Sequence, residues 1–296
     1  MSAHRHPPQS VPEGDQRFAF GANWRRFLAV LDDDRVAAAI ASLRATLGLE
    51  RLDGKRVLDA GSGSGLFSLA ARRLGATVHS FDLDPESVAC TAELRRRFFA
   101  GDPAWTIDTA SVLDRTYLAS LGRFNLVYSW GVLHHTGALW PALDNIAALV
   151  APDGMLLVAV YNDQGRGSRR WARVKQLYNR LPRGLRFAVL APTLLRLWGP
   201  TLVRDLVGGR GLASWHDYRR ERGMSPWHDV VDWVGGWPFE VAKPEQVFDF
   251  CRARGFRLER LKTCAGGIGC NEFLFRRESS ASTGSAGSDH APGAGS

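Results

Sequence analysis

Between residues 23 and 48 the apolar positions Trp24, Phe27, Leu28, Leu31, Val36, Ile40, Leu43 and Leu47 recur at roughly helical spacing, which predicts one or two helices. The rhythm then changes to strand–helix alternation. Residues 56–60 read as a short buried strand, 66–74 as a helix, and 77–81 as a second strand. A helix over 85–97 begins with Pro85, where the missing N–H costs nothing. Further strands are expected at 105–110, 124–129 and 155–161, with a helix over 138–150 and a turn at Pro152-Asp153-Gly154 joining the last two. Such alternation predicts a parallel sheet with helices on both faces.

Residues 166–240 interrupt this rhythm. They are rich in Arg and Trp, and Pro182, Pro192, Pro200 and Pro226 are expected to cut them into short helices. Alternation resumes with a helix over 244–254 and strands at 256–261 and 271–275. The connection through Ala265-Gly266-Gly267-Ile268-Gly269 is too short for a parallel crossover, so these last two strands should pair antiparallel. Residues 1–16 and 278–296 read as polar or Ser/Gly/Ala-rich tails unable to build a core.

Composition changes this picture little. At 296 residues with 45% hydrophobic and 23% charged positions, the chain is long and apolar enough for a full α/β core. The net charge of +8 comes almost wholly from arginine. Cys90, Cys251, Cys264 and Cys270 form no CxxC pair and lack other ligands at metal spacing, so no metal site is expected and a reducing, cytoplasmic location is. No apolar run is long enough to span a bilayer.

Chemistry concentrates after the first strand, at Asp59-Ala60-Gly61-Ser62-Gly63-Ser64-Gly65. Glycines here let the backbone turn sharply and approach a ligand closely. Leu66 stands where a dinucleotide fingerprint wants its third glycine, and no GK[ST] follows for a triphosphate. An acid followed by GxGxG resembles the first motif of the class I S-adenosylmethionine-dependent methyltransferases. Asp82, 23 residues on, stands where that family places the acid that holds both ribose hydroxyls. Ser129-Trp130-Gly131-Val132-Leu133-His134-His135 resembles the segment after strand four of ubiquinone- and menaquinone-type methylases. The resemblance covers about residues 22–165 and 241–277.

It implies a Rossmann-like seven-stranded sheet, mostly parallel with a terminal antiparallel strand, and S-adenosyl-L-methionine as cofactor. The expected cofactor-binding residues are Asp59, Gly61, Ser62, Gly63, Gly65, Asp82, Leu83, Val112, Leu113, Ser129 and Trp130, with Trp24 closing from the N-terminal side. The family's adenine-contacting Asp is replaced by Ser111, and Asp114 is a candidate substitute. In domain terms, residues 17–55 form a helical lid, 56–165 with 241–277 the core, and 166–240 a Trp/Arg-rich substrate cap.

Transfer to a hydroxyl or a protonated amine needs a base, and histidine is poised for that near neutral pH. His134 and His135 follow strand four, while His228 lies beside Asp229 in the insertion. Each has a structural alternative in capping or core packing. Tyr161, Asn162 and Asp163 follow strand five and should face the same crevice. The expected activity is methylation of a small molecule, at oxygen ahead of nitrogen or carbon, on a metabolite, quinone-like ring, sugar or lipid-linked acceptor. The alternative is an RNA methyltransferase holding phosphates with the basic insertion, but no (D/N)PP(Y/F) tetrapeptide follows strand four, which speaks against nucleic acid. Basic residues at 168–200 followed by an apolar run open a further alternative, peripheral contact with an anionic membrane, beside that of a solvated basic face.

Overall fold

The computed structural model describes Gly21, Trp24, Leu28 and residues 31–215 and 226–279. The tail expected at 1–16, and residues 280–296 of the C-terminal one, lie outside them. Helix α1 (Asp33–Leu47) starts where the Asp32 carboxylate accepts the Arg35 N–H and stops at Gly48, whose φ of 65° reverses the chain. Then come β1 (Arg56–Ala60), α2 (Leu66–Arg73), β2 (Thr77–Asp82), α3 (Pro85–Phe98), β3 (Trp105–Thr109), α4 (Arg115–Ser120) and β4 (Phe124–Trp130). A single 3-10 turn, Leu133–His135, leads to α5 (Leu139–Ala148) and β5 (Val150–Tyr161). The insertion comprises α6 (Arg166–Arg180), α7 (Phe187–Val207) and α8 (Pro226–Gly235), before α9 (Pro244–Arg252), β6 (Phe256–Lys262) and β7 (Cys270–Arg277) complete the core.

Among the described residues one sheet of seven strands has the order β3-β2-β1-β4-β5-β7-β6. The strands β1 to β5 run parallel. The final strand β7 inserts between β5 and β6 and is antiparallel to both. Alternate residues feed two cores. Val57, Leu126 and Leu157 pack beneath α1, α2 and α3, whereas Leu58, Val127 and Val158 face α5 and α9. That is the alternation a doubly covered sheet requires.

Two expectations need correction. Pro192 and Pro200 do not break the insertion, because both lie inside the continuous 21-residue α7. A proline removes one N–H and crowds the preceding turn, but tertiary packing overrides that cost. Here Leu190 and the neighbouring Leu194 and Leu197 pack against Tyr178 of α6 and Val230 and Val234 of α8. The second correction concerns Pro152-Asp153-Gly154, which lie within β5 rather than before it. Asp153 takes a φ of 58°, and the β4–β5 register slips between Phe124 and Leu126 as the chain passes through this bend.

Candidate active site

The glycine loop connects β1 to α2 at the carboxyl edge of the sheet, where open α/β sheets bind ligands. Its conformation needs glycine. Gly61, Gly63 and Gly65 have φ of 88°, 55° and 81°. A Cβ on Gly61 would lie 2.4 Å from Val132 Cγ2, and one on Gly65 would lie 2.8 Å from Thr91 Cα. The N–H groups of Gly61 and Ser62 both donate to the Phe81 carbonyl, which fastens the loop to β2.

Asp82 ends β2 beside this loop. Its Oδ2 accepts the Gly63 N–H at 2.9 Å and its Oδ1 the Asp84 N–H at 2.9 Å. An ionised carboxylate has about four acceptor positions, so Asp82 keeps acceptor capacity for a hydroxyl beyond these contacts. Burial raises its pKa above the usual range, a shift opposed by the N–H groups of Asp84 and Gly63. Leu83 and Trp130, exposed by 46% and 47%, project at the ends of β2 and β4. Val112 is buried and Leu113 partly so, in the turn after β3. Ser129 is fully buried and its hydroxyl donates to the Ala60 carbonyl at 2.8 Å, tying β4 to β1. Ser62 pairs its hydroxyl with Thr91 of α3 at 2.9 Å. Asp114 caps α4 by accepting the Tyr117 N–H, which gives its carboxylate a local task.

Asp59 lies under the loop. Only 3% exposed, it accepts the Ser68 hydroxyl, which contacts Ser80 Oγ at 2.7 Å; Ser80 in turn accepts the indole N–H of Trp105. Burial lifts the Asp59 carboxyl to about 7; the Ser68 bond opposes the rise and the Asp82 charge adds to it. Trp24 covers the loop from the other side, since a Cβ on Gly63 would meet its indole at 3.1 Å. The same N-terminal segment is held by Gly21, whose N–H donates to Asp84 Oδ2 at 2.8 Å.

The carboxyl ends of β4 and β5 carry a second cluster. The His134 ring lies 3.8 Å from the Tyr161 ring, and the Tyr161 ring is 5.1 Å from Trp233 of α8 and 5.5 Å from Phe239. The Tyr161 N–H donates to His134 Nδ1 at 3.3 Å, which assigns the ring hydrogen to Nε2. That Nε2 is buried and has no hydrogen-bond partner among the described residues. His135 has the opposite tautomer. Its Nδ1 donates to the Pro238 carbonyl at 2.7 Å, so Nε2 carries the lone pair.

Both histidines are held neutral. Burial, then His135 and then Lys175 push the His134 pKa well below the usual value. Burial and the Lys175 charge bring His135 to about 3 against the opposing Pro238 carbonyl. Lys175 of α6 is fully buried and donates to the Trp233 carbonyl. Its ammonium lies 4.2 Å from the Trp233 ring centroid and 4.7 Å from that of Phe239. Sequence reading passed over this residue, although Trp171, Val174, Lys175 and Tyr178 make one apolar helical stripe with a lysine in it.

The other candidates separate. Asn162 accepts Asn271 Nδ2 at 3.1 Å and secures the β6–β7 turn, while Asp163 accepts the Gly165 N–H just before α6. His228 falls within α8, with its side chain outside the described ones. The thiols of Cys264 and Cys270 border the β6–β7 turn; Cys264 Sγ lies 3.3 Å from the Gly267 carbonyl. Among the described residues no group of three or more His, Cys, Asp or Glu is arranged to hold a metal ion.

A glycine loop, an acid at the end of β2 and the seven-stranded sheet with β7 reversed are the architecture of the class I S-adenosylmethionine-dependent methyltransferases. The donor set fits the cofactor, because Asp82, at the end of β2 beside the glycine loop, retains acceptor capacity for a ribose. The chain belongs to the methyltransferase domain family, whose model matches residues 33–216 and thus reaches into the insertion, beyond the stretch the motifs suggested. It is 30% identical over 128 residues to a ubiquinone biosynthesis O-methyltransferase of Rhodopseudomonas palustris (strain TIE-1), covering 43% of this chain and 48% of that protein. It is 28% identical over 180 residues to a tRNA U34 carboxymethyltransferase of Methylococcus capsulatus, covering 58% of this chain and 51% of the relative. The chain thus spans about half the length of the curated relatives it matches. A magnesium protoporphyrin IX methyltransferase from Synechocystis, solved with S-adenosylhomocysteine, shares the fold at a TM-score of 0.50 and 15% identity, over 87% of this chain and 95% of that one.

Proposed function

We propose that the chain methylates an oxygen of a small-molecule acceptor held between the ends of β4 and β5 and the helices of the insertion. The carrying observation is the neutral His134–His135 pair, set beside the glycine loop by the close approach of Val132 to Gly61. When bound, S-adenosylmethionine supplies a methyl group on a sulfonium that is already a good leaving group, so the protein's task is alignment and exclusion of water. Asp82 grips the ribose, Leu83, Val112 and Leu113 flank the base, and Trp24 closes over the loop. The lone pair on His135 Nε2 would accept a hydrogen bond from the acceptor's hydroxyl and take up its proton as the O–CH3 bond forms and the sulfonium C–S bond breaks, then release that proton to solvent. His134 Nε2–H donates to an acceptor oxygen, which gives that buried donor its partner. Tyr161, Trp233 and Phe239 form the apolar wall of the pocket.

The test is product formation from S-adenosylmethionine with a panel of phenolic, sugar and prenylated hydroxyl acceptors. His135→Gln should lower kcat with S-adenosylhomocysteine affinity unchanged, and full activity would remove His135 from the reaction. The profile of kcat/KM should show no histidine inflection near pH 6.5, because the pair stays neutral well below it. His228→Ala tests the remaining base candidate in the same way. A second reading, methylation of tRNA, draws on the similarity to the tRNA-modifying relative and on the exposed Arg169, Arg170 and Arg173 of α6. Salt-sensitive retention of tRNA with methyl incorporation into it would favour that reading.

A further inference from the structure

The excess positive charge is not spread along the chain. Residues 166–215 contain ten arginines and one lysine against the single acid Asp205, so this segment alone carries more than the whole net charge of +8. Asp205 accepts from Ser214 through both carboxylate oxygens and faces Arg204 and Arg210, so it offsets one charge of the eleven and leaves the segment strongly basic. The same segment holds the largest apolar exposure of the described residues. Leu185, Phe187, Leu195, Val203, Leu206 and Val207 are each more than half exposed, and all but Leu185 lie along α7. At 1.5 Å per residue this helix is about 30 Å long. Its inner side is engaged with Tyr178, Val230 and Val234, and among the described residues the outer apolar row joins no buried cluster.

We infer that the outer face of α7 lies on an anionic lipid bilayer, with the exposed side chains entering the acyl boundary and Arg196 and Arg204 meeting the headgroups. Both arginines are exposed on the same helix. Phosphate recognition alone, as on an RNA, calls for the cations and gives no reason to expose leucine, valine and phenylalanine along the helix. A bilayer surface uses both: apolar side chains bury at its boundary while basic ones draw the helix to anionic lipid. No described helix is long and apolar enough to cross a membrane, so the contact is with the surface. This inference is independent of the acceptor and of the methyl-transfer chemistry.

The test is sedimentation of the full chain with phosphatidylcholine vesicles and with vesicles of mixed phosphatidylcholine and phosphatidylglycerol. The protein should pellet with the anionic vesicles and much less with the neutral ones. Arg196→Gln with Arg204→Gln should weaken partitioning about fivefold per arginine removed. The paired variant Leu195→Glu and Val203→Glu should weaken it at least tenfold while keeping the wild-type circular dichroism spectrum and melting temperature, because these side chains support no core. Failure to pellet with anionic vesicles overturns the inference. So does undiminished binding by the paired variant, which would assign the surface to polyanion recognition. A lipid-free dimer in sedimentation velocity that the paired variant dissociates would give the face to a second copy of the chain and also overturn it.

Discussion

Replacing Gly61 by alanine adds one methyl group at the point where the cofactor loop meets the segment carrying the histidines. Two costs arise from the geometry. A φ of 88° is left-handed backbone, which a Cβ disfavours by about 1–2 kcal/mol. The new Cβ would also stand 2.4 Å from Val132 Cγ2 and 2.6 Å from Cγ1, and relieving such overlap in a packed site costs about 1–3 kcal/mol. Gly61→Ala should therefore lose about 2–5 kcal/mol, a large part of the stability of a typical domain. The two contributions can be separated. Val132→Ala removes the atoms that collide and leaves the backbone conformation as it was. In a double-mutant cycle by urea unfolding, the pair should be about 1–3 kcal/mol more stable than the sum of the single losses, with the left-handed cost remaining. Affinity for S-adenosylhomocysteine should follow the same order, since the loop is displaced only when both Cβ and Val132 are present. Strict additivity would refute the contact and, with it, the argument that Val132 sets the histidines against the loop.

Three groups in the same region give further outcomes. Lys175→Met should raise the His135 pKa from about 3 without restoring it to the ordinary range, because burial, the larger cause, persists; an unchanged titration by NMR would remove the lysine's field from the account. Asp59 has a folded pKa near 7 against about 3.9 in the unfolded chain, so its contribution is present below pH 4 and lost as pH rises to 7. Asp59→Asn should therefore gain stability relative to wild type across that window, by up to about 4 kcal/mol, and a pH-independent difference would mean that the carboxyl is not desolvated. Trp24→Ala should weaken S-adenosylhomocysteine binding and, because the indole also packs on the core beneath α1 and α2, lower the melting temperature; equal affinity would place the indole outside the cofactor site.

The central strands β1, β4 and β5 were legible because they are buried on both faces and bounded by turn residues, as in residues 56–60 before the glycine loop. The reversed β7 followed from a connection too short to cross over. Asp82 and the glycines were legible through spacing, because backbone conformation and a carboxylate at a strand end impose fixed positions. Other features depend on contacts distant in the chain. The neutrality of His135 comes from burial and from the charge of Lys175 in the insertion, and its tautomer from the distant Pro238 carbonyl. The Asp59–Ser68–Ser80–Trp105 network joins two strands, a helix and a third strand, and no local pattern marks its serines as internal. Pro192 and Pro200 misled because local backbone preference yields to packing when a helix is held along one side.

The central claim is that the glycine loop and Asp82 together form the binding site for S-adenosylmethionine. Titration calorimetry with S-adenosylhomocysteine, run on wild type and on Asp82→Asn, tests it most directly. The account predicts saturable one-site binding that the substitution weakens roughly ten- to a hundredfold, as expected for loss of a charge-assisted hydrogen bond worth about 1.5–3 kcal/mol. Absence of heat with the wild-type chain, or equal affinity in the two proteins, would contradict it.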